Sequence, residues 1–141
     1  MRKLGLDYGD SRIGVAITDS LGITAQGLET IHHNGNDKVA LKRLEEIFNE
    51  YDIDTIVIGM PINMDGSKTN RVEVTNKFIH KLKCKFSKIP IEQVDERLTT
   101  VAAHKTMNYL NINKNEKRNI VDTISAVYIL ETYMNKLKNE N

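Results

Sequence analysis

The stretch Leu4-Gly5-Leu6-Asp7-Tyr8-Gly9-Asp10-Ser11-Arg12-Ile13-Gly14-Val15-Ala16-Ile17 constrains the fold more than any other part of the chain. Leu4 and Leu6 fall on one face of an extended strand, and Gly5, Asp7 and Gly9 on the other. Beyond the turn residues Gly9-Asp10-Ser11, the side chains of Ile13, Val15 and Ile17 share a face, and Gly14 and Ala16 take the opposite one. Strands over 3–8 and 12–19 therefore make a hairpin with one large apolar face and one face of small residues. Asp7 stands on the small-residue face, with space around it and few neighbours to neutralise it. Such a carboxylate suits a cation or a phosphate site.

At 141 residues the chain is expected to form one domain over 1–138, with a frayed tail at 139–141. A chain of this size can bury roughly two-thirds of its unfolded surface. The net charge of +1 gives no global signature of nucleic-acid binding, so any such role must rest on local patches. One cysteine, Cys84, excludes an internal disulfide and fits a reducing compartment. Met1-Arg2-Lys3 leads straight into a strand pattern without a signal peptide. No apolar run approaches the ~20 residues of a membrane span. A cytoplasmic protein with no membrane partner is the expectation.

A third strand over 23–33 completes an antiparallel meander. Asn36 or Asp37 can cap a helix whose apolar stripe is Ala40, Leu44, Ile47, Phe48 and Tyr51. The run Thr55-Ile56-Val57-Ile58-Gly59-Met60 is apolar on both faces, as a central strand covered on both sides would be. Arriving after a helix, it pairs most simply parallel to a meander strand. A polar loop over 61–68 precedes a helix with Asn70 and Glu73 at capping-box spacing and Thr75, Phe78, Ile79 and Leu82 on its buried face. A short strand over 89–94 follows. Two helices close the chain, one from Thr99 or Thr100 and one from near Asn113 to about Lys138. The order βββ-α-β-α-β-α-α describes an α/β fold: a mixed five-stranded sheet, three strands antiparallel and two parallel, flanked by helices.

Three carboxylates stand out by context. Asp7 ends an apolar strand, and Glu96 follows the last one. Asp122 lies on a largely apolar helix beside the small residues Ser125 and Ala126. An unpaired charge in such surroundings is costly and calls for a partner or an ion. Turn or strand-end placement explains Asp10, Asp19, Asp52, Asp54 and Asp95. If Asp7, Glu96 and Asp122 converge, they repel one another unless a divalent cation sits among them. Mg²⁺ or Mn²⁺ suits such oxygen ligands. Two ions about 4 Å apart would activate a water and support the leaving oxygen in phosphodiester hydrolysis.

Four motifs carry a resemblance that spans nearly the whole chain. They are Gly5-Leu6-Asp7-Tyr8-Gly9 with Arg12-Ile13-Gly14-Val15-Ala16, then Gly59-Met60-Pro61-Ile62-Asn63-Met64-Asp65-Gly66-Ser67. Asp95-Glu96-Arg97-Leu98-Thr99-Thr100 follows, and then Val121-Asp122-Thr123-Ile124-Ser125-Ala126-Val127. In this order they resemble the YqgF (RuvX) family of bacterial RNase H-like nucleases. Asp-Glu-Arg-Leu-Thr-Thr is the most specific of the four. The resemblance implies an RNase H-like fold and a cytoplasmic role in maturing the 5′ end of 16S rRNA. It also implies the family's alternative reading as a Holliday junction resolvase. The family's acidic triad falls on Asp7, Glu96 and Asp122. Met60, where the family often has leucine, and His104, where an acid is common, depart from the pattern without touching the triad.

Other residues admit two readings. Arg97 can hold a phosphate bidentately or pair with a helix carboxylate. Lys68 and Arg71, on and beside the 61–71 loop, can close over a nucleic-acid strand, and Lys117 and Arg118 precede Asp122. Lys77, Lys81, Lys83, Lys85 and Lys88 can follow a phosphate backbone or form a solvated face. Tyr8 can stack on a base or pack internally. His32 and His33 are adjacent rather than at i and i+4 and so make a poor zinc site. The expected partner is nucleic acid, an rRNA precursor or a DNA junction, with ribosomal particles as a further partner and the protein a monomer or weak homodimer. Two rivals are an actin-like ATPase or sugar kinase, whose phosphate site also begins with Asp-x-Gly, and a non-catalytic nucleic-acid-binding module.

Overall fold

The computed structural model describes residues 1–61, 70–95 and 114–140. Its five strands are β1 (Arg2–Tyr8), β2 (Arg12–Thr18), β3 (Ala25–His32), β4 (Ile53–Met60) and β5 (Ile91–Asp95). The helices are α1 (Asp37–Glu50), α2 (Asn70–Lys85) and α3 (Lys114–Glu140). The strands form one sheet in the order β3-β2-β1-β4-β5. β1 to β3 pair antiparallel, while β4 pairs parallel to β1 and β5 parallel to β4. This is the mixed sheet the sequence predicts. The expected helix from Thr99 or Thr100 lies outside the described residues, as do Lys68, Glu96 and Arg97.

The period-two pattern sorts the side chains onto two layers. Leu4, Leu6, Ile13, Val15 and Ile17 meet Ala40, Leu44 and Ile47 of α1 and Phe78, Ile79 and Leu82 of α2 in one continuous core. The opposite face carries Ala16, Val57 and Val94 against Ala126, Ile129 and Leu130 of α3. That face is built for close approach. A Cβ on Gly5 would lie 2.5 Å from Leu130 Cγ, and one on Gly27 3.0 Å from Thr123 Cβ. The small residues of three neighbouring strands thus form the floor on which α3 lies.

Strand boundaries differ from expectation by one or two residues throughout, and two of the differences have a clear local cause. β3 begins at Ala25 rather than Ile23, because the Asp19 carboxylate accepts from the Ile23 and Thr24 backbone N–H groups and closes a turn. Gly22 takes a φ of 70° in that turn. β5 starts at Ile91 rather than Ile89, since Pro90 has no N–H to give a ladder and contributes only its carbonyl, to Ile56. Asn36 caps α1, its side chain accepting from the Lys38 N–H. α3 runs to Glu140, two residues past the end expected for it.

Asp37, in the first turn of α1, ties the two helices to β1. It accepts from the Tyr8 hydroxyl at 2.7 Å and from Lys81 Nζ at 2.9 Å. Burial opposes its charge, but the Lys81 and Tyr8 hydrogen bonds outweigh that and hold the carboxyl below its usual range. Burial, then the Asp37 hydrogen bond, pushes the Tyr8 phenol up. A carboxyl depressed in the folded state stabilises above its unfolded value and loses that contribution as pH falls through the folded one. Asp37→Asn is therefore expected to lower Tm at neutral pH and to flatten the acid limb of a Tm-against-pH curve. An acid limb as steep as that of the parent would refute this.

Candidate active site

The site is built on β2. Asp7 of β1 is the direct cross-strand partner of Gly14, so the two share a face of the sheet. A Cβ on Gly14 would fall on the Asp122 carbonyl, with the Asp122 Cα only 3.0 Å away. The missing side chain at Gly14 is what lets α3 descend onto the sheet at this point. It sets the Asp122 backbone directly over Gly14, the cross-strand partner of Asp7. Both aspartates are half-buried.

Arg12, two residues before Gly14 and on the same face, fixes the side chain. Its Nε donates to Asp122 Oδ2 at 2.7 Å. The pair is partly withdrawn from water, with 32% of the Arg12 side chain and 17% of the Asp122 side chain exposed. Sequence reading did not single out Arg12. The signal was present in the alternation, since Arg12, Gly14 and Ala16 share the parity that faces α3.

The turn that follows Asp7 is clamped. The Gly9 N–H donates to the Arg12 carbonyl at 2.8 Å, and the His33 and Asn34 N–H groups both donate to the Ser11 carbonyl. His33 adds a side-chain tie. The Gly35 N–H donates to Nδ1 at 3.1 Å, which leaves Nε2 as the protonated nitrogen that donates to the Gly9 carbonyl at 2.9 Å. Gly35 can make that approach because it sits at φ 82°. Tyr8 is not available to a base: it is 6% exposed, stacked on Phe78 at 4.3 Å and on His33 at 5.5 Å. Packing is its role.

The remaining sequence candidates distribute as follows. Arg71, in the first turn of α2, donates to the Tyr8 carbonyl at 3.0 Å and so braces the end of β1 next to Asp7. Lys117 and Arg118 lie in the early turns of α3 ahead of Asp122. Of the basic run on α2, Lys81 pairs with Asp37 and Lys85 with Glu45, so those two serve the fold. Glu96, Arg97 and Lys68 lie outside the described residues. β4 and β5 run parallel to β1, with Leu6 opposite Ile58 and Gly59 opposite Val94. The C-terminal ends of the three strands therefore reach one edge of the sheet, where Asp7 and Asp95 stand. Among the described residues no three His, Cys, Asp or Glu side chains gather as a metal cluster. Asp7 and Asp122 are the two triad members that fall within them.

Ser125, one turn beyond Asp122, is 1% exposed, and its hydroxyl oxygen has no hydrogen-bond partner among the described residues. A buried hydroxyl without a partner is a net liability. Ser125→Ala is expected to leave stability unchanged or to raise it by up to ~1 kcal/mol in urea denaturation. A clear loss of stability would reveal a bond the hydroxyl makes.

The family model described as RuvX, Holliday junction resolvase, matches residues 1–136. A protein of Ruminiclostridium cellulolyticum named "Putative pre-16S rRNA nuclease" is 55% identical over 97% of this chain and 96% of its own length. One of the same name from Acetivibrio thermocellus is 51% identical over 95% of each. Among solved structures, Thermus thermophilus RuvC in complex with a Holliday junction substrate superposes with a TM-score of 0.58. It is 10% identical and covers 97% of this chain and 96% of that one. The fowlpox virus Holliday junction resolvase gives a TM-score of 0.56 at 16% identity, covering 97% and 99%. At such identities these two show the fold, which is RNase H-like. The match over residues 1–136 and the likeness to relatives over nearly their full length give one answer: the chain belongs to the RuvX family.

Proposed function

We propose that this protein is a divalent-metal-dependent endonuclease that hydrolyses phosphodiester bonds in the cytoplasm, with a 16S rRNA precursor as its substrate. The observation that carries the proposal is the seat at Gly14, where the Asp122 backbone lies over the cross-strand partner of Asp7. A hydrolytic site that gathers phosphate and cation calls for two carboxylates at one point.

The donor set fits Mg²⁺ or Mn²⁺: hard carboxylate oxygens, partly shielded from water, over a floor with no side chain at Gly14. Asp7 and Asp122, with Glu96 following β5, would hold the ion or ions. When bound, such ions supply charge to the scissile phosphate and acidify the attacking water. The chain's own contribution is position. The β1–β2 turn, clamped by His33 and braced by Arg71 on the Tyr8 carbonyl, keeps Asp7 in register with Gly14. Arg97, Lys68, Lys117 and Arg118 are assigned to the nucleic-acid backbone, where cations hold phosphates without reading sequence.

A DNA junction is the second reading, favoured by the likeness of the fold to that of RuvC. Junction resolution calls for two active sites related by symmetry. One experiment separates the readings. A labelled 16S precursor and a four-way DNA junction are offered to the same preparation, with and without Mn²⁺, beside Asp122→Asn. Mn²⁺-dependent cleavage of the precursor near the mature 5′ end, absent in Asp122→Asn, is the expected result. Symmetric junction cleavage with an intact precursor would establish the DNA reading instead. Metal-independent RNA binding without cleavage would favour a non-catalytic module.

A further inference from the structure

We infer that Arg12 is a substrate-phosphate ligand that Asp122 holds in reserve: it neutralises Asp122 and turns to the nucleic-acid phosphate when a cation takes its place. The inference rests on the nuclease reading and extends it to a residue that reading does not use.

Three features of the contact support it. First, the site sets two carboxylates on one small-residue face, and like charges there need a counter-ion. Arg12 is the basic residue hydrogen-bonded to Asp122 among the described residues. Second, the bond is a single N–H from Nε to Oδ2, not the two-point fork that makes the strongest arginine–carboxylate pairs. With about a third of its side chain exposed, the arginine can exchange partners without uncovering the core. Third, the exchange needs no backbone movement. Gly14 pins the Asp122 backbone and belongs to the same strand as Arg12, so only side-chain torsions change.

A guanidinium released beside Asp7 and Asp122 is a planar donor matched to a phosphate oxygen pair. It would engage the phosphate next to the carboxylates. In the same position it repels an incoming divalent cation, which sets the direction of the metal effect.

The test uses the full chain and two readouts. Mn²⁺ binding is titrated calorimetrically without nucleic acid, and cleavage of the labelled precursor is followed at saturating Mn²⁺. Arg12→Ala is expected to bind Mn²⁺ several-fold more tightly than the parent while its KM rises by about tenfold or more. Its kcat is expected to fall much less than its KM rises. Arg12→Lys, which keeps the charge and loses the fork, is expected to keep the parent's Mn²⁺ affinity and to restore only part of the KM. Thermal melts confirm that each variant is folded. Weaker Mn²⁺ binding in Arg12→Ala would overturn the inference in favour of an arginine that merely orients Asp122. Unchanged affinity and KM would overturn it outright. The calorimetric arm needs no cleavage. Tighter Mn²⁺ binding in a preparation that cleaves nothing would therefore keep the counter-ion role, while removing the nuclease reading and the phosphate role that rests on it.

Discussion

Gly14→Ala is expected to destabilise the protein by about 3 kcal/mol or more, a large effect for one methyl group. The added Cβ would fall on the Asp122 carbonyl. Neither neighbour can yield cheaply. β2 is paired on both sides, to β1 and to β3, and α3 is packed along β1, β2 and β3 through Ala126, Thr123 and Leu130. A flexible side-chain end could swing aside, whereas here backbone meets backbone. Either the helix lifts from the sheet or the strand buckles away from its partners. For a chain of this length the corresponding fall in Tm is roughly 10 °C. Activity should suffer beyond what stability explains, because lifting α3 carries Asp122 away from Asp7. The check is a thermal melt with cleavage assayed well below Tm. A variant with parental Tm would show that α3 does not lie on Gly14.

Asp7→Asn is expected to reduce cleavage by about 10³-fold or more with little change in Tm. A metal's contribution to charge stabilisation is several kcal/mol, and each 1.4 kcal/mol or so is a decade in rate. Asparagine keeps the size and one oxygen of Asp7 but removes the charge that would share a cation in the proposed site. The substitution also leaves the packing of β1 as it is. Asp7 lies on the small-residue face, half-buried, while the packing of β1 is carried by Leu4, Leu6 and Tyr8 on the other face. A wild-type rate in Asp7→Asn would remove Asp7 from the site.

Much of this was readable in the residues. The alternation of Leu4 and Leu6 against Gly5 and Asp7, repeated in Ile13, Val15 and Ile17 against Gly14 and Ala16, determines both the hairpin and its two faces. The doubly apolar run over 55–60 identifies the central parallel strand β4, which pairs with β1. Local turn chemistry was harder. Ile23 has the composition of a strand residue, yet the Asp19 turn claims it and leaves it 64% exposed. Alternation says which residues share a face, not which of them another element will touch. For that reason nothing in the alternation shows that α3 brings Asp122 within 2.7 Å of Arg12. Tyr8 illustrates the reverse. Beside a candidate catalytic acid its ring leaves base stacking open, with internal packing the readier reading, and long-range packing on Phe78 and His33 takes the ring.

The most direct measurement is cleavage of a 5′-labelled 16S rRNA precursor by purified wild-type protein and by Asp7→Asn, each with Mn²⁺ and with a chelator. Cleavage by the wild type in Mn²⁺ alone, lost in Asp7→Asn and in both chelated samples, is the expected result. Equal cleavage by Asp7→Asn, or cleavage that survives the chelator, would contradict a metal-dependent site built on Asp7 and Asp122.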